Sequence, residues 1–164
     1  MIGVLFNIRS IQNVGSIFRT GDGVAIKSFY LCGITPAPID ILGRIVEKFS
    51  KVSLGAEKSI PWEKVGKDEE LQPTIDLLKR LKQEGYIIVS IEQSPKSITY
   101  FNFKPKSHEL EKLVVIVGNE VEGIPQEILN MSDHILEIPM AGSKESLNVS
   151  VAFGIVAYRL KYQQ

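Results

Sequence analysis

A chain of 164 residues, 44% hydrophobic and 23% charged, suits one globular domain that buries about two-thirds of its unfolded surface. Nineteen basic residues balance nineteen acidic ones, so bulk electrostatics neither demand a nucleic-acid partner nor exclude one, and local patches must decide. Cys32 is alone, which excludes a disulfide within the chain, and no apolar run approaches the roughly eighteen residues of a membrane span. MIGVLF at the start has no basic leader, so a reducing, cytoplasmic setting without a membrane is expected.

The chain opens on IGVLF at 2–6, a continuous apolar run of strand length, followed by a helical segment from near Val14. A second strand is expected at 28–32 (SFYLC), where Cys32 has no cationic or histidine neighbour to make it a nucleophile. Another helix is expected in the forties. From about Glu70, Leu71, Ile75, Leu78 and Leu81 recur at helical spacing and Gly85 supplies a stop. YIIVSI at 86–91, LVVIV at 113–117 and HILEI at 134–138 complete the strands, with FKPKSHELEK at 103–112 as an exposed loop and a short turn from Pro125, placed at a first helical position.

The last helix, from Leu147 to Tyr162, is apolar on nearly every side, so it is expected to be buried all round, either by a second copy of the chain or inside its own core. Apolar strands alternating with crossover helices define an α/β fold with a mostly parallel sheet flanked by helices.

Three polar clusters follow candidate strand ends: 7–23 (NIRSIQNVGSIFRTGDG), 118–123 (GNEVEG) and 138–150 (IPMAGSKESLNVS). In open parallel sheets ligands bind beyond the carboxyl ends of the strands, so all three are expected to meet in one site. GNEVEGIP has P-loop-like glycine spacing but lacks the Lys-Ser/Thr that would hold phosphate and metal, and RTGDG is a poor dinucleotide fingerprint. His108 and His134 lie far apart and the cysteine is single, so no metal is expected.

If the first helix begins near Val14, Asn13 is a candidate N-cap. Arg19, beside Ile17 and Phe18, is expected to pair with an anion, either a structural carboxylate or a substrate phosphate. Glu120, directly after its strand, is the carboxylate expected in a site, and Glu122 faces solvent. Ser146, Asn148 and Ser150 head an otherwise apolar window, and polar groups there need partners or a ligand.

Taken together, NVGSIFRT, VGNEVEGI and IPMAGSKESLNVSVA resemble, in order, the three motifs of the TrmH/SpoU branch of the SPOUT RNA methyltransferases, and the resemblance covers nearly the whole chain. Ser16 and Ala25 depart from the usual alanine and glycine, and neither change removes a functional group. The resemblance implies methyl transfer from S-adenosyl-L-methionine to a ribose 2′-hydroxyl of tRNA or rRNA. It also implies a C-terminal deep trefoil knot and a homodimer with composite active sites.

Residues 1–164 would then form a single SPOUT methyltransferase domain with no appended RNA-binding domain. Carried over, Arg19 engages the ribose hydroxyl and phosphate, and Asn13, Glu120, Ser146 and Asn148 complete the polar site. Ser146 and Asn148 would cap a helix while facing that centre. Gly118, Ile138, Met140 and Leu147 would line the cofactor pocket. Arg9, Arg19 and Lys51, with Arg44 and Lys48 as further candidates, form the expected RNA surface. The alternative is a catalytically inert RNA-binding dimer that keeps the scaffold. A nicotinamide-dependent oxidoreductase is disfavoured by the poor fingerprint.

Overall fold

Each of the five apolar runs forms a strand in the computed structural model, which describes residues 1–162. These are β1 (Ile2–Phe6), β2 (Phe29–Cys32), β4 (Ile87–Ile91), β6 (Leu113–Val117) and β7 (His134–Glu137). Two short strands join them, β3 (Trp62–Val65) and β5 (Ile98–Thr99), to give the order β3-β2-β1-β6-β4-β7-β5 with every neighbouring pair parallel. The two additions are the edges. An edge strand has one unpaired side and less cover, and β3 carries exposed Glu63 and Lys64, so neither shows an apolar run.

The helices are α1 (Ile11–Gly23), α2 (Glu47–Ser53), α3 (Ala56–Ser59), α4 (Gln72–Gln83), α5 (Gln126–Met131) and α6 (Val149–Tyr162). In the inner strands successive side chains feed opposite layers. Leu113, Val115 and Val117 pack with Phe18, Phe49 and Phe153, while Val114 and Ile116 pack with Leu78, Leu81 and Ile128. Both faces are therefore covered, which is why β1 and β6 read as unbroken apolar runs. Burial also pushes the Cys32 thiol up to about 12, so it is a core residue rather than a nucleophile.

Three local expectations need correction. Asn13 is not the N-cap of α1: that helix starts three residues earlier, and Ser10 Oγ accepts from the Asn13 backbone N–H. Pro125 sits at the cap of α5 rather than at its first helical position. Phe103, inside the expected exposed loop, is buried in the core.

Of the two covers expected for the last helix, its own core reaches one side only. Phe153, Val156, Ala157 and Leu160 are covered, but Val151, Tyr158 and Tyr162 remain 49%, 47% and 61% exposed. Within one chain α6 has a core on one side only, against α1 and the sheet.

RTGDG serves packing here. A Cβ on Gly21 would stand 2.6 Å from the Phe29 ring, so only glycine lets α1 lie this close to β2. The sheet order reverses between β1 and β6: the chain builds β1, β2 and β3 to one side and then crosses to the other. That switch point leaves a crevice at the carboxyl ends of the strands.

Candidate active site

Beyond the carboxyl ends of β4, β6 and β7 lies a cleft of about 350 Å³, walled by the loop after β6 and covered by the segment from Ile138 to Val149. Its apolar lining includes Val117, Leu136, Ile138, Met140 and Leu147, and Gly118 exposes backbone to it. Glu92, Glu120, Glu137 and Glu145 also line it, and among the described residues no lysine, arginine or histidine does.

Glu120 leaves β6 three residues after its last strand position and reaches across the switch point to the start of α1. Its carboxylate accepts the Arg9 N–H at 3.0 Å, the Ser10 N–H at 3.2 Å and Asn13 Nδ2 at 2.8 Å. Burial pushes this carboxyl up, but the Arg9 N–H, the Asn13 side chain and the Ser10 N–H outweigh it and hold the group below the ordinary carboxylate range.

Asn13 Oδ1 in turn accepts from Asn148 Nδ2 at 3.0 Å, and Asn148 Oδ1 accepts the Ser150 N–H at 2.9 Å and Ser150 Oγ at 2.7 Å. Each amide thus donates toward the carboxylate and accepts from the next residue out, so the ionised Glu120 sets the orientation of the chain. The structure therefore joins all three sequence clusters through Glu120, Asn13 and Asn148. Asn148 caps α6 alone; Ser146 lines the cleft without a hydrogen bond to a described residue.

Asn119 fixes the loop from inside. Its Nδ2 donates to Asn7 O at 3.0 Å, and its Oδ1 accepts the Val121 and Glu122 N–H groups at 2.8 and 3.1 Å.

Arg19 stands apart from this network. It is exposed on α1, is not among the cleft residues, and has neither an ion pair nor a hydrogen bond among the described residues, so of the two anions expected for it no structural carboxylate is found there. Ile17 and Phe18 point into the core, and a further 100° of helix turn carries Arg19 to the solvent stripe shared with Gln12 and Ser16. The other expected RNA contacts lie elsewhere and are partly neutralised. Arg9 is 3.7 Å from Glu69 and 4.0 Å from Glu122, Lys51 is 2.7 Å from Glu47, and Arg44 is 2.7 Å from Asp40.

Over residues 1–158 the chain matches the SpoU rRNA Methylase family. It belongs to that family. The chain is 30% identical over 160 residues to the tRNA (guanosine(18)-2′-O)-methyltransferase of Borreliella burgdorferi, covering 96% of itself and 64% of the relative. It is 29% identical to the 23S rRNA (guanosine-2′-O-)-methyltransferase RlmB of Neisseria meningitidis, covering 98% and 58%. The crystal structure of an AdoMet-bound rRNA methyltransferase from Sinorhizobium meliloti superposes with a TM-score of 0.82 at 25% identity, over 97% of this chain and 54% of that one. The chain thus spans less than two thirds of each of these SpoU-family relatives.

Residues absent from the sequence-level site are Ser10, Glu92 and Glu137. A signal for Glu92 existed: IEQS follows YIIVSI just as the three chosen clusters follow their strands.

Proposed function

We propose that this chain is an S-adenosylmethionine-dependent RNA methyltransferase domain that modifies a ribose 2′-hydroxyl of tRNA or rRNA and works in the cytoplasm as a homodimer. The observation that carries the reading is the hydrogen-bonded chain Glu120, Asn13 and Asn148 at the rim of an acid-lined cleft beside the switch point. Relatives named for both tRNA and rRNA 2′-O-methylation support the reaction class.

The cleft suits the donor. Apolar walls and exposed backbone at Gly118, Ile138, Met140 and Leu147 fit an adenine, and carboxylates without an opposing base favour a ligand with positive charge. That donor brings an electrophilic methyl group on a sulfonium. The chain's own residues bind and orient. Ser146 and Asn148 face the cleft mouth, and Glu120 and Asn13 fix their setting.

A guanidinium offers five N–H donors and no acceptor, so Arg19 acts by holding phosphate and stabilising the developing alkoxide rather than as a base. Its position outside the cleft of its own chain supports a composite site, in which the partner copy presents Arg19 to this cleft. Exposed Val151, Tyr158 and Tyr162 on α6 are the apolar cover for that pairing. The crossing of the 138–149 segment over the cleft is in keeping with a trefoil knot in this region. Arg9, Arg19 and Lys51 are taken as RNA contacts, and RNA affinity should fall steeply with added salt.

The deciding experiment incubates the protein with labelled S-adenosylmethionine and total RNA and maps ribose methylation. Incorporation at a defined nucleotide supports the reading; none across diverse RNA pools replaces it with an RNA-binding dimer that keeps the scaffold.

A further inference from the structure

Glu92 follows β4 directly, and its carboxylate grips the far end of the cleft wall. Its Oε2 accepts the Ile124 N–H at 2.9 Å and its Oε1 accepts the Gln93 N–H at 2.9 Å. The wall it holds, Gly118 to Ile124, is the loop that carries Glu120. Glu120 ties one part of this loop to α1, and Glu92 ties its end to β4. The fit is close. Gly123 has φ +70°, and a Cβ there would stand 2.5 Å from Glu92 Oε2.

Stability alone does not account for a carboxylate here. The Ile91–Leu136 pairing of β4 and β7 puts Glu92 in register with Glu137, and both line the same cleft. Like charges side by side on adjacent strands cost free energy. Among the described residues no lysine, arginine or histidine lines the cleft to offset them. Both Glu92 oxygens are engaged by backbone N–H groups, so the side chain is held as an acceptor that fixes a loop.

We propose that Glu92 is a positioning residue for methyl transfer: by anchoring Ile124 it sets the cleft wall from which Glu120 reaches Asn13. The proposal rests on the donor-binding reading of the cleft. It gives Glu92 no contact with the reacting atoms.

Glu92→Gln and Glu92→Ala test it by titration calorimetry with S-adenosylmethionine, thermal unfolding, and turnover at saturating donor. Glutamine keeps one acceptor for Ile124 and removes the charge facing Glu137. Its Tm is expected to hold or rise while donor Kd rises about threefold, and alanine is expected to raise Kd about tenfold or more. Turnover at saturating donor should fall less than donor affinity does in both, because excess donor offsets a weakened pocket but not a lost catalytic group.

A residue needed only for folding would instead lower Tm, and Kd would rise in step with that loss of stability. If the wild type binds donor and Glu92→Ala binds it equally, Glu92 does not set the wall and the proposal fails alone. If glutamine fails to rescue and both affinities track lost stability, it fails as well. If the wild type binds no donor, the donor reading and this inference fall together.

Discussion

The cleft rim and the exposed α1/α6 surface belong to the same helices yet differ in completeness. At the rim, Glu120, Asn13, Asn148 and Ser150 each find a partner within one chain. On the outer surface Arg19 has no partner among the described residues, and Val151, Tyr158 and Tyr162 stand uncovered. A helix turns its faces to different surroundings every residue, so Asn13 and Arg19, six positions apart, end about 120° apart around the axis and about 9 Å apart along it. One face of α1 braces the cleft rim through Asn13, and the other is exposed within this chain.

Arg19 gives the largest expected effect. Arg19→Ala should lower turnover about a hundredfold to a thousandfold with donor Kd unchanged, and Arg19→Lys should also lose most turnover because a point charge does not reproduce a planar fork. Unchanged turnover in either variant removes Arg19 from the reaction. Co-assembling Arg19→Ala with Asn148→Ala sharpens the comparison. If each cleft uses its partner's arginine, a mixed dimer keeps one of its two sites, and a randomly assorted mixture, about half of it mixed dimers, recovers roughly a quarter of wild-type activity. No recovery means both groups act within one chain.

Glu120→Ala comes next. It leaves the Arg9 and Ser10 N–H groups and Asn13 Nδ2 without their shared acceptor, and Asn13 loses the orientation that receives Asn148. Donor affinity is expected to fall about tenfold or more, read by calorimetry. A smaller effect is expected at the outer surface. Tyr158→Asp should weaken self-association about tenfold or more in sedimentation, without disturbing the fold of α6, whose core contacts are Phe153, Val156, Ala157 and Leu160. A variant that stays dimeric at the same concentrations would show that Tyr158 lies outside the interface.

How much of this the sequence revealed depended on whether one residue's burial reported its layer. Strands covered on both faces, such as LVVIV, announce themselves, and the rule that ligands meet strand carboxyl ends gathered Glu120, Asn13 and Asn148 before any coordinates. Edge strands did not, because Trp62–Val65 has exposed positions that break its apolar pattern. Asn13 was misplaced as a cap because Ser10 competes for that role with a side chain equally suited to it. Arg19 is exposed although Ile17 and Phe18 beside it are buried, because neighbours in sequence do not share a helix face. Glu92 was missed although its place after β4 obeyed the same rule, since it lies outside the motifs that carried the resemblance.

The mildest prediction concerns acid. Glu120 is held below the ordinary carboxylate range by N–H donors that outweigh its burial. A depressed folded value means that its contribution is fully present above the unfolded value, about 4.3, and is lost as pH falls through the lower folded value. Donor affinity should therefore stay level from pH 7 down to the ordinary glutamate range, and the part that depends on Glu120 should fade only below that range. In Glu120→Gln that acid limb should vanish, because the amide has no proton to take up. A wild-type limb centred near pH 6, or one that persists in the glutamine variant, would place the titrating group elsewhere and remove the carboxylate as the fixed end of the Asn13–Asn148 chain.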